Sequence, residues 1–250
     1  MKTVTVLISH HERELHGNFV MPEQVGKYPV VIYSHGYNGV GEDFKKNAEY
    51  LAQNGIGAFY YDFCGGSVRS KSSMKTTEMT IFTEKEDLQA VLSILKKQEN
   101  VDADNIFVFG ASQGGFVTTL VAEECADDIR GMVLLFPALC IADNWNERFP
   151  NTEDIPNSED LWGMTLGKRF FETLRGFDIF THIGKYQRNI LIMHGDQDEI
   201  VPLEYSQRLR KVYSNVKIEV FQGEAHGFSE VGNQRVGEMT LGFVLQNKKV

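Results

Sequence analysis

Ile106-Phe107-Val108-Phe109-Gly110-Ala111-Ser112-Gln113-Gly114-Gly115-Phe116-Val117 is the stretch on which the reading of this chain turns. The apolar run Ile106 to Phe109 suits a strand buried on both faces, and Phe116, Val117, Leu120 and Val121 continue with helical spacing. Between them, Gly110, Ser112 and Gly114 spell G-x-S-x-G, a pattern that places the serine on a sharp, strained turn from strand to helix. The two backbones cross closely at such a turn, and Gly110, Gly114 and Gly115 supply the room. Composition alone would yield roughly 0.1 such pentapeptides in a chain of this length, so the flanking strand and helix carry the specificity.

Working outward, β-branched and aromatic runs alternate with segments of helical periodicity, the pattern of a mainly parallel sheet covered by helices. Eight strands are expected: Thr3–Ile8, Asn18–Met21, Val30–Tyr33, Ala58–Tyr61, Ile106–Phe109, Met132–Phe136, Ile190–Met193 and Lys217–Phe221. The first two suit an antiparallel edge, and the last six read as buried on both faces. Helices are expected over Asp43–Gln53, around Leu88, Val91, Leu92 and Leu95, from Ser112, after Pro202, and from about Gly232 onward. The interval 137–181 shows no clear strand and gathers acidic and aromatic residues, so it is expected to be a lid with short helices inserted into a single 1–250 domain.

A serine hydroxyl is a weak nucleophile and needs a base, itself oriented by a carboxylate. In this strand-turn-helix setting the three follow in the order Ser, Asp, His. Strand Ile190–Met193 runs into His194-Gly195-Asp196-Gln197-Asp198-Glu199-Ile200-Val201-Pro202, with carboxylates at the strand's C-terminal end, where open α/β sheets build their sites. Strand Lys217–Phe221 then runs into Gly223-Glu224-Ala225-His226. Asp196 competes with Asp198 for the acid, its alternative role being a turn residue that binds local amides. His35 and His194 precede glycines at strand ends, where bracing a loop is the simpler role.

With these segments in place, the whole chain resembles the α/β-hydrolase family of serine esterases, lipases and peptidases. The resemblance implies an α/β-hydrolase fold, with Ser112 as nucleophile, His226 as base and Asp198, in an H-G-x-x-D-x-x-V-P segment, as the acid. Ser34-His35-Gly36-Tyr37-Asn38-Gly39 resembles that family's oxyanion loop, which implies that the amides of Tyr37 and Gln113 receive the developing negative charge. Asp62-Phe63-Cys64-Gly65-Gly66-Ser67-Val68-Arg69-Ser70 resembles that family's D-x-x-G-x-G-x-S loop with imperfect spacing; a border of the pocket is one reading, and a structural turn held by Asp62 is the simpler one. Chain length, the position of the insertion and the H-G-Tyr loop are similar to the cinnamoyl and feruloyl esterase branch.

Composition sets the remaining bounds. The 250 residues are 42% hydrophobic, with 23 Gly and 6 Pro, enough for one sizeable core. A net charge of -9 disfavours phosphate backbones and anionic lipid, and six of the acids lie between Asp143 and Asp160 against one base, Arg148. Three scattered cysteines form neither a disulfide framework nor a zinc motif. The longest apolar stretch, Gly131 to Ala142, contains Pro137 and is too short to span a bilayer. The expectation is a cytoplasmic, cofactor-free and metal-free serine carboxylic ester hydrolase acting on a small ester, with no nucleic-acid or membrane partner; a homodimer is compatible with it. A serine aminopeptidase or acyl-peptide hydrolase, an acylglycerol lipase and a non-catalytic binding protein are the competing readings.

Overall fold

A computed structural model describes all of residues 1–250. The chain opens with two nine-residue strands, β1 (Lys2–His10) and β2 (Arg13–Met21), paired antiparallel. There follow β3 (Tyr28–Ser34), α1 (Lys45–Gln53), β4 (Gly57–Tyr61), α2 (Ile81–Leu95), β5 (Val101–Ala111), α3 (Gln113–Glu124) and β6 (Gly131–Leu135). After a long excursion come β9 (Ile190–Gly195), α6 (Leu203–Val212), β10 (Val216–Phe221) and α7 (Glu230–Asn247). The eight strands of the main sheet lie in the order β1-β2-β4-β3-β5-β6-β9-β10, parallel from β4 through β10, so all eight expected strands are present in a mostly parallel sheet.

Strand periodicity divides the core into two layers. Val30 and Ile32 of β3 and Ile106 and Val108 of β5 point to one face, packing with Leu88 and Val91 of α2 and with Phe116, Val117 and Leu120 of α3. Val31, Tyr33, Phe107 and Phe109 point to the other, against Ala48 and Leu51 of α1 and Val236 and Val244 of α7. Helices on both faces explain why these strands are continuously apolar. No helix is long and apolar enough to cross a membrane.

Two expectations need correction. Strand β10 is not buried on both faces: only Phe221 is buried, because β10 is the sheet's last strand and pairs with β9 alone. The 137–181 interval is not strand-free. Besides α4 (Ile141–Arg148) and α5 (Lys168–Thr173), it holds a two-stranded hairpin, β7 (Ser158–Leu161) with β8 (Met164–Gly167). Its two-residue turn, Trp162-Gly163, has φ of +46° and +79°, matching the right-handed twist of the strands it joins. The hairpin rests on the segment before α2, where Thr76 Oγ1 donates to the Thr165 carbonyl at 2.7 Å. A Cβ at Gly167 would stand 2.0 Å from the Thr77 carbonyl oxygen, so only glycine fits that approach.

Candidate active site

Strand β5 delivers the chain into Ser112, whose φ of 50° and ψ of -120° place it in a strained region that persists only where the surroundings fix it. The fixing is steric. A Cβ at Gly110 would stand 2.4 Å from the Gly114 carbonyl oxygen, and one at Gly114 would stand 2.4 Å from that of His35. The turn therefore lifts the Ser112 hydroxyl off the C-terminal ends of the parallel strands.

Two further loops converge on it. His226, in the β10–α7 loop, has Nε2 at 3.0 Å from Ser112 Oγ and Nδ1 at 2.8 Å from Asp198 Oδ2. The Nδ1–H donates to the carboxylate, which leaves Nε2 free to accept the serine proton. The imidazole is part-buried beneath Phe136, with ring centroids 4.5 Å apart.

The Asp198 side chain is fully buried. Burial opposes its charge, but hydrogen bonds from His194, His226 and the Val201 amide outweigh it and hold the carboxyl well below the usual carboxylate range. Asp196 lies apart from the imidazole, its Oδ1 accepting from the Gly223 amide at 2.7 Å. His194 accepts from Ser206 Oγ at 2.8 Å and donates to the Val201 carbonyl at 2.9 Å, so it braces the loop that carries Asp198.

The β3 loop packs directly against the serine: a Cβ at Gly36 would lie 3.0 Å from Ser112 Cβ. His35 shapes this loop. Its Nε2 accepts from the Phe63 amide at 3.0 Å, so Nδ1 carries the proton and donates to the Gly36 carbonyl at 2.7 Å. Burial lowers the pKa of this imidazole, which keeps it neutral and suited to one donor and one acceptor role. The Tyr37 amide makes no hydrogen bond within the chain. Gln113, first residue of α3, has no acceptor four residues back in the helix. Neither amide has a backbone acceptor, and both residues line the same cavity as Ser112.

A cavity of about 220 Å³ opens from Ser112 and is lined by Tyr37, Ile141, Trp145, Leu161, Trp162 and Phe170, among others. Most of this wall comes from the 137–181 interval. The Tyr37 hydroxyl lies 2.9 Å from the Met164 carbonyl and 3.0 Å from that of Leu161, and Asn38 Nδ2 donates to the Trp162 carbonyl at 3.2 Å. These ties to the hairpin escaped the sequence reading, since nothing local in Tyr37-Asn38 points to residues more than 120 positions away. The acids of the interval are exposed except Glu159, which is part-buried and pairs with Arg148, the charged side chain on the cavity wall. Cys140 also lines the cavity, but burial pushes its thiol up to about 11, which makes it a poor nucleophile at neutral pH.

Away from this site, His10, Cys64 and Asp87 bring possible metal-binding atoms within 4.8 Å of one another. Arg13 Nη1 lies 3.3 Å from Asp87 Oδ1 and already balances that carboxylate. Burial pushes the Cys64 thiol up to about 12, so it stays protonated. Asp62, as read from the sequence, holds its turn, accepting from the amides of Gly41 at 2.9 Å and Lys71 at 2.8 Å.

Comparison with known proteins places this geometry. Residues 27–173 match the family model described as serine aminopeptidase, S33. The chain belongs to that family of α/β-hydrolases. This hydrolase is similar in structure to the ferulic-acid complex of Est1E from Butyrivibrio proteoclasticus, with a TM-score of 0.88 and 28% identity over 97% of this chain and 98% of that one. In sequence it is 23% identical to acylamino-acid-releasing enzyme 1 of Oryza sativa subsp. japonica, over 85% of its own length but only 29% of the rice enzyme's. It is 24% identical to YqkD of Bacillus subtilis (strain 168), over 98% of its own length and 80% of that protein's.

Proposed function

We propose that this hydrolase is a serine carboxylic ester hydrolase that takes small aromatic acyl esters, of the hydroxycinnamoyl type, through a covalent acyl-enzyme. The observation that carries the reading is the Ser112–His226–Asp198 chain of hydrogen bonds, 3.0 and 2.8 Å, opening into an aromatic-walled cavity. Ser112 Oγ attacks the ester carbonyl as His226 Nε2 takes its proton; Asp198 holds the imidazole and stabilises its charged form. The amides of Tyr37 and Gln113 receive the carbonyl oxygen as it becomes an oxyanion. His226 returns the proton to the departing alkoxide, then activates the water that clears the acyl group from Ser112.

The structural likeness to Est1E with bound ferulic acid supports an aromatic acyl group, as does a cavity walled by Trp145, Trp162 and Phe170. The three unpaired cysteines support a reducing, cytoplasmic setting. The family description and the likeness to the rice acylamino-acid-releasing enzyme favour a second reading, an aminopeptidase or acyl-peptide hydrolase. Against an aminopeptidase, the cavity wall carries Arg148 and no carboxylate, so a cationic amino terminus finds no counter-charge there; an acylated, uncharged terminus does not need one.

A hydrolysis panel separates the readings: short p-nitrophenyl esters, methyl ferulate, chlorogenate, monoacylglycerols and aminoacyl anilides, both free and N-acetylated. The proposal expects kcat/KM highest for the hydroxycinnamoyl esters. Highest values for the anilides would establish the peptidase, and for long-chain monoacylglycerols a lipase.

A further inference from the structure

A buried carboxyl group lies behind the two oxyanion amides, and the triad does not use it. Glu84, in the first turn of α2, is 1% exposed. Both of its oxygens lie within hydrogen-bond distance of Gln113 Nε2, Oε1 at 3.0 Å and Oε2 at 2.9 Å. The Gln113 side chain is itself buried, so this amide and this carboxyl satisfy each other in a place water does not reach.

The same carboxyl abuts the other donor's loop. A Cβ at Gly66 would stand 3.0 Å from Glu84 Oε1 and 3.1 Å from His35 Cε1. The Gly66 carbonyl in turn accepts from the Asn38 amide at 3.1 Å, next in the chain to Tyr37. Glu84 thus bonds the residue after the nucleophile on one side and, on the other, leaves no room for a side chain at Gly66, whose carbonyl holds the loop carrying the second amide.

The location has an energetic cost, which a purely structural contact would avoid at lower expense. Burial raises the Glu84 carboxyl well above its usual range; the Gln113 amide opposes that rise, and Asp87, one turn further along α2, adds to it. An apolar side chain at this place would pack without any desolvation cost. What it would lack is an acceptor to fix the Gln113 amide, and with it the backbone at the start of α3.

We propose that Glu84 is a positioning residue for the oxyanion hole, its buried carboxyl fixing Gln113 directly and the Tyr37 loop through Gly66. The inference rests on the reading of Ser112 as nucleophile and of the Tyr37 and Gln113 amides as oxyanion donors. A donor displaced by a fraction of an ångström loses much of its preference for the oxyanion over the ground-state carbonyl. Glu84 therefore acts on kcat rather than on substrate affinity.

The experiment compares wild type, E84L, E84Q, Q113L and E84L/Q113L on one p-nitrophenyl ester, together with the affinity of a trifluoromethyl ketone, which forms a tetrahedral oxyanion adduct with the serine. Labelling of wild type at Ser112 by a fluorophosphonate is established first; without it the nucleophile reading fails, independently of Glu84. Given labelling, E84L is expected to lower kcat roughly 10- to 100-fold with KM within about twofold, and to weaken the ketone by a similar factor. E84Q, which keeps one acceptor, should fall between E84L and wild type. The double variant should be no worse than the poorer single one, because both changes remove the same link.

Costs that multiply in the double variant, or a fall in kcat without weaker ketone binding, overturn the proposal. Should E84L not fold, Q113L and E84Q decide: wild-type kcat and ketone affinity in both of them overturns it.

Discussion

The hydroxyl of Tyr37 lies 2.9 Å from the carbonyl oxygen of Met164, so a residue that lines the cavity with Ser112 also holds the hairpin roofing it. In the reading proposed here, one residue contributes to both charge stabilisation and acyl-group enclosure. Removing the hydroxyl separates the two roles. Tyr37→Phe keeps the backbone amide and should cost about 1 kcal/mol of stability through the lost hydrogen bond, while raising KM severalfold as the hairpin loosens. Thermal unfolding alongside steady-state kinetics on methyl ferulate checks both, and an unchanged KM would free the hairpin from this role.

Asp198→Asn tests the carboxylate without changing its size. The proposed mechanism expects kcat to fall roughly 10³- to 10⁴-fold with little change in KM, since an amide can hold the imidazole in the wrong tautomer.

The same carboxylate carries a prediction for stability. Its folded-state pKa lies below the unfolded value of about 3.9, so its contribution is fully present above that pH and is lost as pH falls through the folded-state value. Melting temperature followed from pH 6 to pH 2 should therefore drop more steeply below about pH 4 in wild type than in Asp198→Asn. Parallel curves would show that the charged form of Asp198 gains nothing from its partners.

Gly114→Ala tests the steric basis of the turn at Ser112. The added methyl would lie 2.4 Å from the His35 carbonyl oxygen and 2.5 Å from that of Ser34, both backbone atoms. Loss of about 2 kcal/mol or more and a large fall in kcat are expected, read by denaturant unfolding and ester hydrolysis. Wild-type values would mean that the close crossing of strand and helix is dispensable.

Chelation addresses the cluster of His10, Cys64 and Asp87. Because Arg13 already balances Asp87, dialysis against EDTA is expected to leave kcat and the melting temperature unchanged. A loss reversed by added zinc would assign that cluster a metal.

How much of this was legible in the sequence follows from how local each signal is. Ser112, Asp198 and His226 stand at strand ends marked by apolar runs and glycines, and the structure brings the three within hydrogen-bond distance. The buried strands announced themselves because helices cover both their faces, whereas β10, with Lys217 and Glu219 alternating with apolar residues, is the sheet's last strand and mostly part-exposed. The β7–β8 hairpin escaped because Ser158-Glu159-Asp160 has little strand preference and its turn is Trp162-Gly163 rather than Asn-Gly. Its strands are held from outside, by Tyr37 and Thr76. Glu84 was equally hidden: in sequence it is one more charged residue near the start of a helix, and only the crossing of α2 behind α3 turns it toward Gln113.

In the proposed mechanism Ser112 is the residue acylated in turnover. This is tested most directly by mass spectrometry of the protein after reaction with a fluorophosphonate, mapped to the peptide, with Ser112→Ala in parallel. One adduct per chain is expected, on Ser112, with both the adduct and ester hydrolysis abolished in Ser112→Ala. An adduct on another residue, or ester hydrolysis that survives in Ser112→Ala at wild-type rate, would contradict the mechanism.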